Sequence, residues 1–395
     1  VILAGGFGKR LGVKSLNTTK PLQKINGKPF LDYIIWNLKR YGIKKILITT
    51  GYLSNQIFER YKNGLDFGVK IEYINENEPA GTAGSLLLCK DYLEDFFFLL
   101  NGDTIFDINF DELSLFLKKT GTTCAIGLQK VSNCSNFGSI ALDDNTVISF
   151  NEKSNNGKGL INGGVTAFNK NILNFIKKIP SSLEDDIYPR LVKEKEISAM
   201  EFNSFFIDIG LPDTLEAAQV LIPKWRKKKV VFLDRDGVIN IDYGYVATKE
   251  RFTFIKGSIN AIKKLNDMGI LVIVITNQSG IARGLFSEKQ FLDFMQWVNN
   301  QLRKKAAHID AFYYCPHHPN EGNSKYTFDC DCRKPKSGLI KKALAEWQLD
   351  PSYCCMYGDK ESDLQAAKNL GISNFLFNHL EDDLLSLISR TFLNS

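Results

Sequence analysis

The stretch Val230-Val-Phe-Leu-Asp-Arg-Asp-Gly-Val-Ile-Asn240 runs four apolar residues straight into two aspartates at i and i+2. A short, wholly apolar run closed by a turn reads as a strand buried on both faces, the kind that parallel sheets use. Such folds bind ligands beyond the carboxyl ends of their strands, where Asp234 and Asp236 stand. One carboxylate there can attack phosphorus while the second protonates the leaving alcohol and later activates water. Two carboxylates this close repel, so a divalent ion is expected with them.

The same pattern extends along the chain. Val1 to Ala4, Lys45 to Thr49, Phe96 to Leu100, Leu271 to Thr276 and Cys354 to Tyr357 are strand-like runs alternating with helix-like segments, which predicts an α/β fold with parallel sheets. Asn101-Gly-Asp103 repeats the acidic strand ending. Thr276-Asn-Gln-Ser-Gly280 closes a strand with hydroxyl and amide donors, Lys334 offers a cation to a phosphoryl group, and Tyr357-Gly-Asp-Lys-Glu-Ser-Asp363 adds metal-binding carboxylates. A length of 395 residues suggests two or three domains. The text breaks between Pro223 and Lys229, so domains are expected over 1–222 and 230–395 with a linker at 223–229. The basic run Lys224, Arg226, Lys227, Lys228 and Lys229 reads as solvated linker rather than a nucleic-acid patch.

Hydrophobic residues make up 44% and charged residues 24%, the balance of a soluble globular protein, and the net charge of +6 is modest. No apolar run approaches the ~18 residues that span a bilayer. Val1 opens on a strand with no initiator methionine, so native residues are expected before it, and no signal peptide is read. Cys89, Cys124, Cys134, Cys354 and Cys355 are scattered, which argues against a disulfide framework and for a reducing cytoplasm. Cys354 and Cys355 read as core; His308 and His379 read as surface residues.

Cys315-Pro-His-His-Pro319 and Cys330-Asp-Cys-Arg-Lys-Pro335 gather the remaining cysteines. Cys315, His317, Cys330 and Cys332 supply three thiolates and an imidazole, a closed tetrahedral set for structural Zn²⁺ rather than a catalytic zinc with an open position. Asp329 and Asp331 flank Cys330 and argue against a nucleic-acid zinc module. The clip leads directly into Arg333 and Lys334, so it fixes where those cations sit.

At the other end, Val1-Ile-Leu-Ala-Gly-Gly-Phe-Gly-Lys-Arg-Leu11 is a strand followed by a glycine-rich turn whose N–H groups can close around phosphate, with Arg10 adding bidentate contacts. No G-K-[ST] follows, so it is not a P-loop. Together with Lys20-Pro21, Glu78-Pro-Ala-Gly-Thr-Ala-Gly84, Asn101-Gly-Asp103, Glu152-Lys153, Asn162-Gly-Gly-Val165 and Phe206-Ile-Asp-Ile-Gly-Leu-Pro212, it makes residues 1 to 222 resemble the sugar-1-phosphate nucleotidylyltransferases. The resemblance implies a Rossmann-like domain with a mixed sheet, in which a sugar 1-phosphate attacks the α-phosphorus of a nucleoside triphosphate and pyrophosphate leaves. It places Asp103 and Asp208 on Mg²⁺ and Leu3, Gly5, Gly6, Gly8, Arg10, Lys20, Glu78, Gly81, Thr82 and Gly102 around the nucleotide, with Arg10 and Lys20 catalytic. Glu152, Lys153, Asn162 and Gly163 would bind the sugar phosphate. Lys9, Thr19 and Ser154 depart from the family pattern. The Glu78–Gly84 loop looks like that of mannose- and heptose-1-phosphate guanylyltransferases, so guanine is the expected base.

Residues 229 to 377 resemble the haloacid dehalogenase superfamily, carried by Asn277-Gln-Ser-Gly-Ile-Ala-Arg-Gly284, Tyr314-Cys-Pro-His-His-Pro319, Cys330-Asp-Cys-Arg-Lys-Pro335 and Gly358-Asp-Lys360. Within it they look most like D-glycero-D-manno-heptose 1,7-bisphosphate 7-phosphatases, with histidinol phosphatases as cousins. The resemblance implies a second Rossmann-like domain with a zinc-bound loop, Asp234 as nucleophile and Asp236 as acid/base. Asp234, Asp359 and the backbone carbonyl of Asp236 would bind Mg²⁺, while Thr276 and Lys334 hold the phosphoryl group. Asp242, Tyr243, Gly244, Tyr245, Asn277, Gln278, Ser279, Arg333 and Lys360 would touch the substrate. The family pattern favours His317 over His318 as ligand, and Arg283 either reaches the substrate or caps a helix.

Joined, the two resemblances imply a cytoplasmic, bifunctional enzyme of GDP-D-glycero-D-manno-heptose synthesis for surface glycans. It would remove the 7-phosphate of the α-1,7-bisphosphate and transfer guanylyl from GTP to the heptose 1-phosphate. Its partners are then small molecules, with no nucleic acid or membrane, and homo-oligomerisation is left open. Two readings compete: a mannose-1-phosphate or other sugar nucleotidylyltransferase fused to a histidinol-phosphatase-like domain, or one active enzyme with an inactive regulatory domain.

Overall fold

Buried parallel strands are apolar on both faces, and Val230–Leu233, with no exposed residue, sits at the centre of such a sheet. A computed structural model describes residues 1–6, 18–51, 53–134, 137–151 and 157–393. Its contacts divide the chain into two compact units, Val1–Trp225 and Arg226–Ser395.

In the first unit, strands Lys70–Asn75, Lys45–Thr50, Ile2–Leu3 and Phe96–Asn101 lie side by side and parallel. The sheet turns mixed at its next strand, Gly159–Asn169, which runs antiparallel to Phe96–Asn101. Cys124–Val131, Ile197–Phe202, Thr146–Asn151 and Ser139–Asp143 complete nine strands. A separate two-stranded ribbon pairs Thr104–Phe106 with Phe206–Asp208 and sets Asp208 opposite Thr104. The ribbon brings two segments about a hundred residues apart to one end of the sheet.

The second unit is a five-stranded parallel sheet in the order Ala311–Cys315, Leu271–Asn277, Val230–Leu233, Cys354–Gly358, Ser373–Leu376. All strands point the same way, so Asp234, Asn277, Cys315 and Asp359 emerge along one edge. Helix Glu288–Arg303 is started by a capping box: Gln290 N donates to Ser287 Oγ and Ser287 N donates to Gln290 Oε1. It buries Phe291, Phe294, Met295, Val298 and Leu302, an i, i+3, i+4, i+7, i+11 stripe.

Three sequence expectations change here. The linker expected at 223–229 is helical as far as Arg226, because helix Pro212–Arg226 continues through Pro223. A proline in a helix forfeits one hydrogen bond, but Leu215, Ala218, Ile222 and Trp225 form a buried stripe that outweighs the loss. Nor is the basic run simply solvated: Lys228 is buried and Lys229 Nζ donates to Phe392 O at 3.2 Å. His308, read as a surface residue, is buried with Nε2 3.4 Å from Asp310 Oδ1, whereas His379 is exposed.

Trp225 closes the first unit. It stacks on Phe205, meets Trp36 edge-on, and its Nε1 donates to Asp107 Oδ2 at 2.8 Å. Asp107 Oδ1 in turn pairs with buried Arg40 at 2.9 Å. Breaking a buried ion pair from one side leaves the other charge desolvated at a cost of about 3–5 kcal/mol. Asp107→Ala should therefore lower the stability of the first unit by about that amount, seen as an earlier urea transition in Trp fluorescence; an unchanged transition would mean the pair does not hold the terminal helix.

Candidate active sites

In the first unit, strand Ile2–Leu3 delivers Ala4, Gly5 and Gly6 to a cavity of about 290 Å³. Leu3, Gly5, Gly6, Lys20, Gly81, Thr82, Gly102 and Asp103, all expected there, line it. Two glycines are required by close approach: a Cβ on Gly102 would lie 2.5 Å from Leu3 O, and one on Gly81 (φ +76°) would lie 2.4 Å from Ser181 O. Glu78 is exposed and outside the lining. Glu76, immediately after strand Lys70–Asn75, does line the cavity, and accepts from Ser85 Oγ at 2.6 Å and from Ala80 N at 3.2 Å. The signal for Glu76 was the one that found Asp103, an acid just past a strand end. Gly8, Arg10, Glu152 and Lys153 fall outside the described residues.

Beside the cavity, Lys20 Nζ lies 2.8 Å from Asp103 Oδ2. Thr104 Oγ1 donates to Asp208 Oδ2 at 2.9 Å and lies 3.4 Å from Asp103 Oδ1, so the ribbon brings the two aspartates together. Burial, then the Asp103 charge, raises the pKa of the Asp208 carboxyl. Two carboxylates held this way against one lysine suit a hard divalent cation. Asn162 and Gly163 lie in an irregular stretch of strand Gly159–Asn169. Gly163 has no room for a side chain beside Phe106, and Gly164 packs against Asn101 and Thr104, which sets this stretch next to Asp103.

The second unit builds a tighter centre. Buried Lys334 Nζ reaches Asp234 Oδ1 at 2.9 Å and Asp363 Oδ1 at 2.5 Å and donates to Ile275 O at 2.8 Å. Carboxylate oxygens of Asp234, Asp359 and Asp363 lie within 4.8 Å of one another. Asp363, which the sequence marked only as one of several strand-end acids, is therefore the third member of the group. Burial pushes the Asp234 carboxyl up to about 7 against the pull of Lys334. Burial also opposes the charge on Lys334, but Asp234 and Asp363 outweigh it and raise its pKa. Among the described residues, Asp359 Oδ1 is buried with no hydrogen-bond partner, a free lone-pair donor in this group. The donor set fits a divalent ion.

Neighbouring residues hold this centre in place. Asn277 exchanges two 3.1 Å hydrogen bonds with the backbone of Lys334, and Gln278 donates to Thr276 Oγ1 at 2.9 Å. Ser279 follows at partial exposure. Asp236 turns its carboxylate to Arg235, Asn240 and Gln278. Across the opening, Lys360 Nζ pairs with Asp242 Oδ2 at 3.0 Å, Gly244 N donates to Asp242 Oδ1, and Tyr243 and Tyr245 are half exposed.

Cys315, His317, Cys330 and Cys332 present their ligand atoms within 4.8 Å of one another. Sulfur separations of 3.2–3.5 Å are far beyond a disulfide bond and near the edge of a tetrahedron about a metal. The contact with Cys315, ahead of those with Cys330 and His317, lowers the Cys332 thiol to about 5. His318 is engaged elsewhere: its Nδ1 accepts from Glu321 N at 3.0 Å and its Nε2 lies 3.2 Å from Arg283 Nη2. Arg283, undecided from sequence, bridges His318, Glu321 and the ring of Tyr245. Arg333 Nη1 donates to His317 O, joining the metal group to the segment that carries Lys334. Among the described residues no helix is long and apolar enough to cross a membrane.

Known proteins resemble each half. A nucleotidyl transferase family model matches residues 1–224 and a haloacid dehalogenase-like hydrolase model matches residues 163–371. The D-glycero-beta-D-manno-heptose-1,7-bisphosphate 7-phosphatase of Pasteurella multocida is 50% identical over 147 residues, 37% of this chain and 79% of that protein. The protein of the same name from Haemophilus influenzae is 51% identical over 138 residues, 35% of this chain and 74% of its own. Among solved structures, HddC from Yersinia pseudotuberculosis is 30% identical over 56% of this chain and 97% of that one, with a TM-score of 0.51. HddC complexed with GMP-PN is 31% identical over the same shares, with a TM-score of 0.50. The chain belongs to the nucleotidyl transferase family through its first half and to the haloacid dehalogenase-like hydrolases through its second.

Proposed function

We propose that the chain performs two consecutive reactions on one heptose: it removes the 7-phosphate from D-glycero-α-D-manno-heptose 1,7-bisphosphate, then joins the remaining 1-phosphate to guanylyl from GTP. The observation that carries the reading is that each half gathers aspartates around one lysine at the carboxyl ends of its strands. The phosphatase names of the relatives support a heptose 1,7-bisphosphate, and the GMP-PN complex of HddC supports a guanine nucleotide.

In the phosphatase half, Lys334 and Arg235 N occupy Asp234 Oδ1 and leave the other oxygen for attack. That oxygen bonds phosphorus, the ester P–O bond breaks, and Asp236 gives its proton to the departing sugar oxygen. Asp236 then takes a proton from water, which attacks the phosphoaspartate and frees phosphate. Thr276 and Lys334 hold the phosphoryl oxygens; Asp242 to Tyr245, Asn277 to Ser279, Arg333 and Lys360 contact the rest of the substrate. In the transferase half, Lys20 and Arg10 balance the triphosphate charge while an oxygen of the 1-phosphate attacks the α-phosphorus of GTP and pyrophosphate leaves. Glu152, Lys153 and Asn162 orient the sugar phosphate. Mg²⁺ bound by Asp103 and Asp208, and by Asp234, Asp359 and Asp363, would supply Lewis-acid charge neutralisation at the two centres. Zn²⁺ bound by Cys315, His317, Cys330 and Cys332 would fix the loop that leads to Lys334.

Asp234→Asn should cut phosphate release by more than about 10³-fold and spare pyrophosphate release, and Asp103→Ala should do the reverse. If either variant left both activities intact, the two-centre reading would fail. Cys332→Ser should lower bound zinc toward zero by metal analysis and depress only the phosphatase; full zinc content with unchanged phosphate release would refute the clip. The relatives carry the beta anomer in their names, so the alpha choice rests on the resemblance of the first half to guanylyltransferases. Side-by-side turnover of both anomers should favour alpha, and a preference for beta would overturn that choice.

A further inference from the structure

Arg235 lies between the two aspartates in sequence, yet its side chain is 0% exposed. Its guanidinium grips Asp236 with both ends: Nη2 lies 2.7 Å from Oδ2 and 2.8 Å from Oδ1, and Nε 3.2 Å from Oδ1. The same Nη2 donates to Val246 O at 2.5 Å. The cation sits 5.5 Å from the ring centres of both Phe291 and Phe294 and touches Met295 Sδ at 4.0 Å. Asn240 and Gln278 donate to the same carboxylate at 2.9 and 3.1 Å.

Burying a guanidinium is costly unless its partners repay it, and an apolar residue would fill this aromatic slot more cheaply. The geometry points to Arg235 as a positioning residue for the phosphatase reaction, one that aims the Asp236 carboxyl and registers it to the Asp242–Val246 segment. The inference rests on the acid/base role proposed for Asp236. A bidentate guanidinium bonds a carboxylate more strongly than a carboxylic acid. The fork fixes the direction from which the Asp236 carboxyl meets the departing sugar oxygen. Val246 O accepts from the same Nη2 that grips Asp236, so the acid is held against the segment carrying Tyr243 and Tyr245, both half exposed.

The test compares leaving groups. Heptose 1,7-bisphosphate releases a poor alkoxide that needs a proton; p-nitrophenyl phosphate releases a stable phenolate that does not. Arg235→Met should lower kcat for the bisphosphate by about 10²-fold with little change in KM, while p-nitrophenyl phosphate turnover falls less than about tenfold. Arg235→Lys, which keeps charge but not the fork, should fall between wild type and Met on the bisphosphate. Asp236→Asn should show the same leaving-group pattern. If Asp236→Asn shows it and Arg235→Met lowers both substrates equally, Arg235 is merely structural and the inference falls while the phosphatase reading stands. If wild type releases no phosphate from the bisphosphate, the phosphatase reading itself falls. Should Arg235→Met not fold, the ratio for Arg235→Lys decides: a selective loss on the bisphosphate supports the inference, and equal loss or none refutes it.

Discussion

Negative charge crowded at the ends of parallel strands is the constraint on which both halves depend. In the second unit three carboxylates converge on one buried lysine, and two of them, Asp234 and Asp363, touch it directly. Two ammonium groups face these three carboxylates, Lys334 on Asp234 and Asp363 and the more exposed Lys360 3.6 Å from Asp359. Burial raises the pKa of Asp234 against the pull of Lys334, and that of Asp359 against the pull of Lys360. The first unit repeats the arrangement in a more open form, with Lys20 against Asp103 and Asp208 beside it. A site strained by excess negative charge is poised to take a divalent ion together with the phosphate that the ion neutralises.

Lys334 can serve this centre only if its loop is held still, since a lysine side chain has many rotamers and an ammonium gives no planar fork. Three devices hold it. Asn277 hydrogen bonds both the N–H and the C=O of Lys334, Ile275 O receives its ammonium, and the cysteine–histidine group ends two residues earlier at Cys332. With a metal bound, the cysteine–histidine group would act through the backbone, by narrowing where one cation can be. Arg333 and Arg283 tie the same group to His317, His318 and Tyr245, so the rim of the site shares its rigidity.

Much of this was legible in the sequence because buried parallel strands are continuous apolar runs and their ends are marked by acids. The strands at Val230, Leu271 and Cys354, and the aspartates Asp103, Asp208, Asp234 and Asp359, follow from that rule together with family resemblance. What stayed hidden depended on partners far along the chain. Arg235 looks like a surface charge until helix Glu288–Arg303 brings Phe291 and Phe294 over it. Glu76 and Glu78 differ only in where strand Lys70–Asn75 ends, a boundary composition does not resolve. Pro223 read as a break because its local cost is visible, while the packing of Leu215, Ala218, Ile222 and Trp225 that overrides it is tertiary.

In the proposed scheme one chain cuts a phosphate ester at one carboxylate centre and builds a diphosphate link at the other. Phosphorus NMR of a single reaction containing the enzyme, Mg²⁺, heptose 1,7-bisphosphate and GTP follows every phosphorus atom at once. The account predicts that the 7-phosphate resonance converts to inorganic phosphate while the 1-phosphate survives and passes into a sugar-linked diphosphate, with pyrophosphate appearing in equal amount. Loss of the 1-phosphate instead, or inorganic phosphate with no diphosphate ester formed, would contradict it.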